Sequence, residues 1–383
     1  MKAARMTETI TEREFEIFLV TPPGLEAYLL SEVQACGFKS PKAIGGGVII
    51  QGDWTDVWRA NLILRGASKV LVRFGSFRAF HLAQLDKRAR KFPWGDILTQ
   101  GLTVKVDVNT NRKSKIYHAG AAIERLERAI TEEFGSTIAD GLDDAEIVFK
   151  VRIDDNNVIL SVDSSGDGLH KRGFKQAMGK APMRENMAAM LLRACGYAGD
   201  ESVLDPMCGS GTFLIEAAEM ARHLMAGRGR NFAFEKLATY DAEEVSAIKE
   251  AWPTRNTPHR FYGSDRNVNV IGFSKQNAER AGVSDICEFS PTPISKLERP
   301  SGAAGLVIVN PPYGARIGKK KDLMALYSTF GGVMRDKFSG WRVGLVTSDI
   351  NLAHATKLPW MPMSAPIAHG GLKVRLFQTE ILK

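Results

Sequence analysis

Apolar residues recur at every second position in "FEIFLVT" (15–21), "KVLVRFGSF" (69–77) and "TVKVDVNT" (103–110). That period predicts strands with one buried face. Between them the period lengthens. "GLEAYLLSEVQACG" reads as a helix closed by Gly37, and "WTDVWRANLIL" as another, with a strand at "GGGVIIQG" before it. A further helical segment is expected near 81–91. "HAGAAIERLERAITEEFG" is amphipathic, with Ile123, Leu126, Ile130 and Phe134 along one face. "EIVFKVRIDDNNVILSVDSSG" carries two alternating runs joined by Asp154-Asp155-Asn156-Asn157, a hairpin signal. Residues 1–165 thus form an α+β region.

The pattern changes after "SGDGLHKRGFKQAMGKAP" (165–182), a connection poor in aliphatic residues, and a helix is expected to start after Pro182. From there short apolar runs alternate with helices: "SVLDP", a helix from Thr212, "FYGSD", a helix from Val268, "ICEFS", "GLVIVN", a helix around Asp322–Phe338, "WRVGLVTSD" and "LKVRLFQTEI". Strands alternating with helices predict an α/β fold with a mostly parallel, doubly wound sheet.

Composition narrows the class. A chain of 383 residues exceeds one ordinary core, so two or three domains are expected. The net charge of +8 favours a polyanionic partner, nucleic acid before membrane. The basic residues cluster: Lys87-Arg88-x-Arg90-Lys91, Arg112-Lys113-x-Lys115, Lys171-Arg172 through Lys180, and Lys319-Lys320-Lys321. One cluster alone suits a solvated face; four suit a nucleic-acid surface. Cys36, Cys195, Cys208 and Cys287 are scattered, with no CxxC pair and no histidine at ligand spacing, so neither a metal site nor a disulfide framework is expected. No stretch approaches the ~18–20 apolar residues of a membrane span, the N-terminus lacks an apolar leader core, and a cytoplasmic protein is expected.

Three stretches carry chemistry. In "VLDPMCGSGT" (203–212) a strand runs into Asp205, a glycine-rich turn follows, and a helix opens. Glycines let a ligand approach the backbone, and the helix N-terminus presents free N–H groups to it. A tight turn without a ligand fits the same residues. The spacing is neither G-x-G-x-x-G nor a Walker loop. In "FYGSDRN" (261–267) Asp265 ends the next strand, where a carboxylate can accept both ribose hydroxyls or can cap the following helix. In "GLVIVNPPYGARIG" (305–318) two prolines break a strand and hold up Asn310 and Tyr313. Two acceptors, the Asn310 side chain and the Pro311 carbonyl, beside a flat ring suit a planar substrate with an exocyclic amine.

Together these stretches resemble the motif set of class I S-adenosylmethionine-dependent amino-methyltransferases, with its (N/D)PP(Y/F/W) signature. "SGDGLHKRGF", "APMRENMAAMLL", "LDPMCGSGTFLIEAA", "NPPYGARIG" and "GLKVRLFQ" are more closely similar to the THUMP-domain RNA guanine-N2 methyltransferases, bacterial 23S ribosomal RNA enzymes among them. The resemblance implies a ferredoxin-like subdomain (1–70), a THUMP RNA-binding domain (71–165), a linker (166–182) and a Rossmann-like methyltransferase domain (183–383) ending on an antiparallel strand. It implies S-adenosylmethionine as cofactor, with Asp205, Gly209, Ser210 and Gly211 at the methionine end, Asp265 at the ribose hydroxyls, and Pro206, Cys208, Thr212, Arg266 and Asn310 as further cofactor-binding residues. It implies Asn310, Pro311 and Tyr313 around the target base, and RNA as partner, ribosomal RNA first and tRNA second. One departure stands out: Lys296 occupies the place where the family often has an acid for the adenine amine, which leaves backbone groups around Thr292–Ser295 as the alternative. A DNA or protein amino-methyltransferase shares NPPY, and a non-catalytic RNA-binding assembly factor would keep the fold. A Rossmann oxidoreductase is disfavoured by the missing G-x-G-x-x-G.

Overall fold

In a computed structural model, which describes residues 14–176, 183–313 and 320–383, the alternating stretches of the first half become neighbours in one eight-stranded sheet. Its strands are β1 (Phe15–Val20), β2 (Lys42–Ile44), β3 (Gly47–Gly52), β4 (Lys69–Arg78), β5 (Thr103–Thr110), β6 (Thr137–Ile138), β7 (Ile147–Asp154) and β8 (Asn157–Asp163). They run in the order β2-β3-β1-β4-β8-β7-β5-β6. Every second residue is buried, Ile17 and Leu19 on β1, Val104, Val106 and Val108 on β5, Ile147 through Ile153 on β7. The ten-residue β4 makes the sheet continuous: it pairs with β1 through Lys69–Arg73 and with β8 through Leu71–Arg78, across a register shift between Arg73 and Gly75. Phe74, at that shift, joins Phe92, Trp94 and Phe149 in an aromatic cluster with centroids 5.0–6.2 Å apart.

Helices α1 (Glu26–Ala35), α2 (Trp54–Ile63), α3 (Leu82–Arg90) and α4 (Ala119–Phe134) fall where the period predicts. On α4 the buried stripe is Ala122, Leu126, Ala129 and Ile130; Ile123 and Phe134 lie at its margin, so the face is rotated slightly from the expected one. The hairpin between β7 and β8 turns on Asp155 (φ 46°) and Asn156 (φ 61°), two consecutive left-handed residues as a type I′ turn demands. The short strands β2 and β6 are absent from the sequence expectation.

The chain folds into two compact units. The described residues of 1–21, 30–169 and 230–252 form the first; those of 22–29, 170–229 and 253–383 form the second. Helix α7 (Ala242–Ala251) thus belongs to the first unit.

The second unit is built on a seven-stranded sheet, β9 (Val203–Asp205), β10 (Phe261–Ser264), β11 (Cys287–Ser290), β12 (Leu306–Val309), β13 (Arg342–Thr347), β14 (Ile367–His369) and β15 (Leu372–Gln378). The order is β11-β10-β9-β12-β13-β15-β14, parallel from β11 to β13 and antiparallel at β15. Its helices are α5 (Glu185–Ala194), α6 (Thr212–Ala221), α8 (Val268–Arg280), α9 (Lys320–Lys337) and α10 (Ile350–Ala355). All four residues of β12 are buried, as a strand covered on both faces requires. Chain direction along the sheet reverses between β9 and β12, so a crevice opens at their carboxyl ends. Helix α5 starts at Glu185, after Pro182 as expected, while Lys180, Lys319 and the "GARI" of the NPPY stretch lie outside the described residues.

One expectation fails. The basic run from Lys171 is not a solvated face: Arg172 is 3% exposed and paired with Glu216 (3.1 Å), and Lys175 is largely buried between the Met183 carbonyl (2.6 Å) and Glu185 (3.4 Å). Two cations serve the fold here because acidic side chains on α5 and α6 meet them in the interior.

Candidate active site

At the switch point the second unit holds a cavity of about 820 Å³. Of the residues singled out in the sequence, Asp205, Pro206, Cys208, Gly209, Ser210, Thr212, Asp265, Arg266 and Asn310 line it; Gly211, Pro311 and Tyr313 are not among its lining residues. The wall also includes Pro293 and Ile294, within the Thr292–Ser295 stretch named from the sequence, and Met183, Phe213, Phe273 and Leu326, which sequence reasoning missed. Their types are those of any core residue, so no signal in the sequence separates them from packing.

Strand β9 ends on Asp205, which is 3% exposed. Its Oδ1 accepts the Met207 N–H (3.1 Å), and no cation pairs with it among the described residues. Burial, then the nearby charge of Asp265, push its carboxyl up to about 8 against that hydrogen bond. The following turn is tied down at several points. Cys208 N–H donates to the Ser264 carbonyl (3.0 Å) and Gly211 N–H to the Cys208 carbonyl (2.8 Å). The Ser274 hydroxyl donates to the Gly209 carbonyl (2.6 Å), and the Asn277 amide to the Ser210 carbonyl (3.1 Å). Gly211, at φ 83°, is the N-cap position of α6, and a Cβ there would stand 3.2 Å from Ser274 Cβ and 3.3 Å from the Phe289 ring. Only glycine satisfies both the backbone and the close approach.

Asp265 settles one alternative. Its Oδ2 accepts Gly209 N–H (3.2 Å) and its Oδ1 accepts Asn267 N–H (2.9 Å), so the carboxylate braces the glycine-rich turn from the next strand. The N-cap of α8 is Asn267, whose side chain accepts Asn269 N–H (3.0 Å). Past β11, Pro293 and Ile294 form an apolar wall, while Lys296 is an exposed residue of a short 3-10 turn and is not among the cavity's lining residues.

Strand β12 ends at Asn310. Its Oδ1 is buried and has no hydrogen-bond partner among the described residues. Leaving such an acceptor unsatisfied costs about 1–3 kcal/mol, which a donor from a ligand would return. The Pro312 carbonyl accepts from the Tyr327 hydroxyl (3.4 Å), and that hydroxyl also meets Thr347 Oγ1 (3.3 Å), which anchors the corner to α9 and β13. Tyr313 is half-buried against the cluster around Phe330 and Leu345, and burial raises its phenol.

Comparison with known proteins places this arrangement. Residues 16–71 match the RlmL ferredoxin-like domain, 80–163 the THUMP domain, and 172–364 the RMKL-like, methyltransferase domain. The ribosomal RNA large subunit methyltransferase K/L of Aliivibrio salmonicida (strain LFI1238) is 36% identical over 87% of this chain and 49% of its own. The chain spans about half the length of the curated relatives it matches. Among solved structures, a protein from Listeria monocytogenes str. 4b F2365, described as a predicted N6-adenine-specific DNA methylase, is 28% identical with a TM-score of 0.86, covering 97% of both chains. SMU.472, crystallised in complex with SAH, shares the fold at a TM-score of 0.86 and 24% identity, over 97% of this chain and 99% of its own. Because the 172–364 match takes in the parallel strands β9 to β13, the braced glycine turn and the Asn310 corner together, the chain belongs to the family of RMKL-like methyltransferase domains.

Proposed function

We propose that this protein transfers a methyl group from S-adenosylmethionine to the exocyclic N2 amine of a guanine in structured RNA, ribosomal RNA of the large subunit first and tRNA second. The observation that carries the reading is Asn310 Oδ1, buried in the wall of a cavity at the switch point of a methyltransferase sheet and without a hydrogen-bond partner among the described residues. The same reading puts the protein in the cytoplasm, with its RNA; among the described residues no helix is long and apolar enough to cross a membrane.

The residues present suit the cofactor. Asp205 is a buried carboxyl without a cation among the described residues, and a ligand ammonium supplies one. Asp265 stands where ribose hydroxyls can donate to it, and Pro293 and Ile294 offer an apolar bed for a purine. S-adenosylmethionine, when bound, contributes an electrophilic methyl on sulfur. The chain does the rest. Asn310 Oδ1 and the Pro311 carbonyl accept the two N–H groups of the target amine. They favour a pyramidal nitrogen, whose lone pair is otherwise delocalised into the ring, and they stabilise its growing positive charge. Alignment of the amine with the methyl supplies most of the remaining acceleration. The methylated cation sheds its proton readily, so a strong base is unnecessary. A base within RNA reaches the corner only when splayed out of its stack.

The test is transfer of labelled methyl to separately purified, unmodified ribosomal RNA, tRNA and DNA, followed by nucleoside digestion and mass spectrometry. N2-methylguanosine from the ribosomal pool is the expected product. N2-methylguanosine from tRNA alone selects the second substrate, and label in adenine or in DNA overturns the proposal.

A further inference from the structure

Beyond the Val309–Leu345 pair the ladder between β12 and β13 ends, because Pro311 and Pro312 carry no N–H to continue it. The corner that follows needs other donors to fix its carbonyls. The Pro312 carbonyl finds one in the Tyr327 hydroxyl (3.4 Å), and that hydroxyl stands 3.3 Å from Thr347 Oγ1. A carbonyl can only accept, so the single phenol proton goes to Pro312 and the Thr347 hydroxyl donates to the phenol oxygen. Thr347 Oγ1 in turn accepts the Asp349 N–H (3.2 Å). The result is a series of bonds with one direction, from a backbone N–H through two hydroxyls to the corner carbonyl. Successive bonds in such a series polarise one another.

Both hydroxyls sit in the core. Tyr327 is 1% exposed and Thr347 is fully buried. Leu323, Tyr327, Phe330 and Met334 share the inward face of α9, so packing alone seats the tyrosine ring. A phenylalanine would fill the same space, and the hydroxyl is the part that packing does not require. Burial raises its phenol above the usual range, so it keeps its proton and remains a donor. The two proline rings fix φ at 311 and 312, which leaves ψ as the freedom of the corner. The Tyr327 bond fixes the plane of the peptide after Pro312, and the ladder at Val309 fixes the other end. Along the chain, Asn310 and the Pro311 carbonyl lie between those two anchors.

We propose that Tyr327, supported by Thr347, is a positioning residue for methyl transfer: it holds the proline corner so that Asn310 Oδ1 and the Pro311 carbonyl meet the target amine together. This rests on the methyltransferase reading of the site and adds a residue that acts on the amine only through the corner.

The test uses two readouts on the full chain. The first needs no RNA: calorimetric affinities for S-adenosylhomocysteine and for sinefungin, an analogue with an amine in place of the transferable methyl. That amine calls on the two corner acceptors, whereas S-adenosylhomocysteine does not. Both hydroxyl contacts are long for O–H···O bonds, so a modest effect is expected. Tyr327→Phe should weaken sinefungin about fivefold and leave S-adenosylhomocysteine within about twofold. The second readout is transfer kinetics on the nucleic acid that the wild type methylates. There Tyr327→Phe should lower kcat about fivefold with KM for S-adenosylmethionine unchanged. Thr347→Val should move both readouts the same way, and Thr347→Ser, which keeps the hydroxyl, should restore them. Tyr327→Phe combined with Thr347→Val should be no worse than Tyr327→Phe alone. Should Tyr327→Phe not fold, Thr347→Val against Thr347→Ser decides by the same affinity ratio. An unchanged sinefungin affinity would overturn the proposal, as would equal losses for both ligands or additive losses in the double variant. Failure of the guanine-N2 reading is distinguishable: a Tyr327-dependent sinefungin preference with label in another base, or in none, leaves the positioning role standing. N2-methylguanosine formed at an undiminished rate by Tyr327→Phe removes it.

Discussion

Two polar groups in the cavity wall, the buried Oδ1 of Asn310 and the buried carboxyl of Asp205, lack a matching partner among the described residues. The first is an acceptor with no donor there. Asn310→Ala is therefore expected to abolish methyl transfer, a loss of at least about a hundredfold, while cofactor affinity by calorimetry stays within about twofold. Retained turnover would remove Asn310 from the reaction. Asp205 is an acid with no base. Its folded carboxyl titrates near pH 8, above the ordinary 3.8, so the neutral form is the one that favours the fold. That contribution is complete below about pH 4 and is lost as pH rises through about 8. A ligand ammonium reverses the preference by favouring the carboxylate. Cofactor affinity should thus rise between about pH 6 and 8 in the wild type, and Asp205→Asn should lose that dependence. A wild-type affinity flat across that range would show that no cationic group meets Asp205.

At the scale of elements, the site depends on how α6 is seated. The helix opens at Gly211 under the braced turn and carries Glu216, 1% exposed, against Arg172. Removing one member of a buried pair withdraws the charge that offsets the other's burial, so Glu216→Ala should destabilise the protein by about 3–5 kcal/mol in urea denaturation. A loss under about 1 kcal/mol would mean that water reaches the guanidinium. The strand that delivers Asn310 works the other way. Four consecutive buried residues drive β12 into the sheet, and two prolines stop it at the edge of the cavity. The sequence displays that device openly, because apolar runs and prolines act locally. It does not display which face of α8 meets the cavity. Val270 and Phe273 line it while Ile271 and Ala278 are buried in the fold, and both sets are apolar.

For the whole molecule, the two units exchange segments: residues 230–252 belong with the first, and 22–29 with the second. The first unit needs its borrowed piece. Phe234 N–H donates to the Ser164 carbonyl (2.9 Å), Ala238 N–H to the Ile97 carbonyl (2.9 Å), and Arg230 donates to the carbonyls of Ser165, Asp167 and Gly168. Phe232 and Phe234 are buried, each contributing about 1.5–3 kcal/mol. A fragment of residues 14–169 should accordingly be at least about 3 kcal/mol less stable than the same fragment with 230–252 joined to it. Equal urea midpoints would show that the segment is a passenger.

Local periodicity and turn chemistry were enough to determine the alternation of strands and helices, the hairpin at Asp154–Asn157, and the stretches around Asp205, Asp265 and Asn310. Each depends on residues within a few positions of one another, so the chain encodes them directly. Tertiary structure alone decided that Asp265 braces Gly209 while Asn267 caps α8, that Arg172 and Lys175 are interior ions, and that Asn310 has an acceptor to spare. It also decided that Tyr327 on α9 and Thr347 on β13 meet beside the Pro312 carbonyl. Those facts turn on burial and on partners tens of residues away, and the same side chain is a surface ion, a brace or a ligand according to what the fold sets beside it.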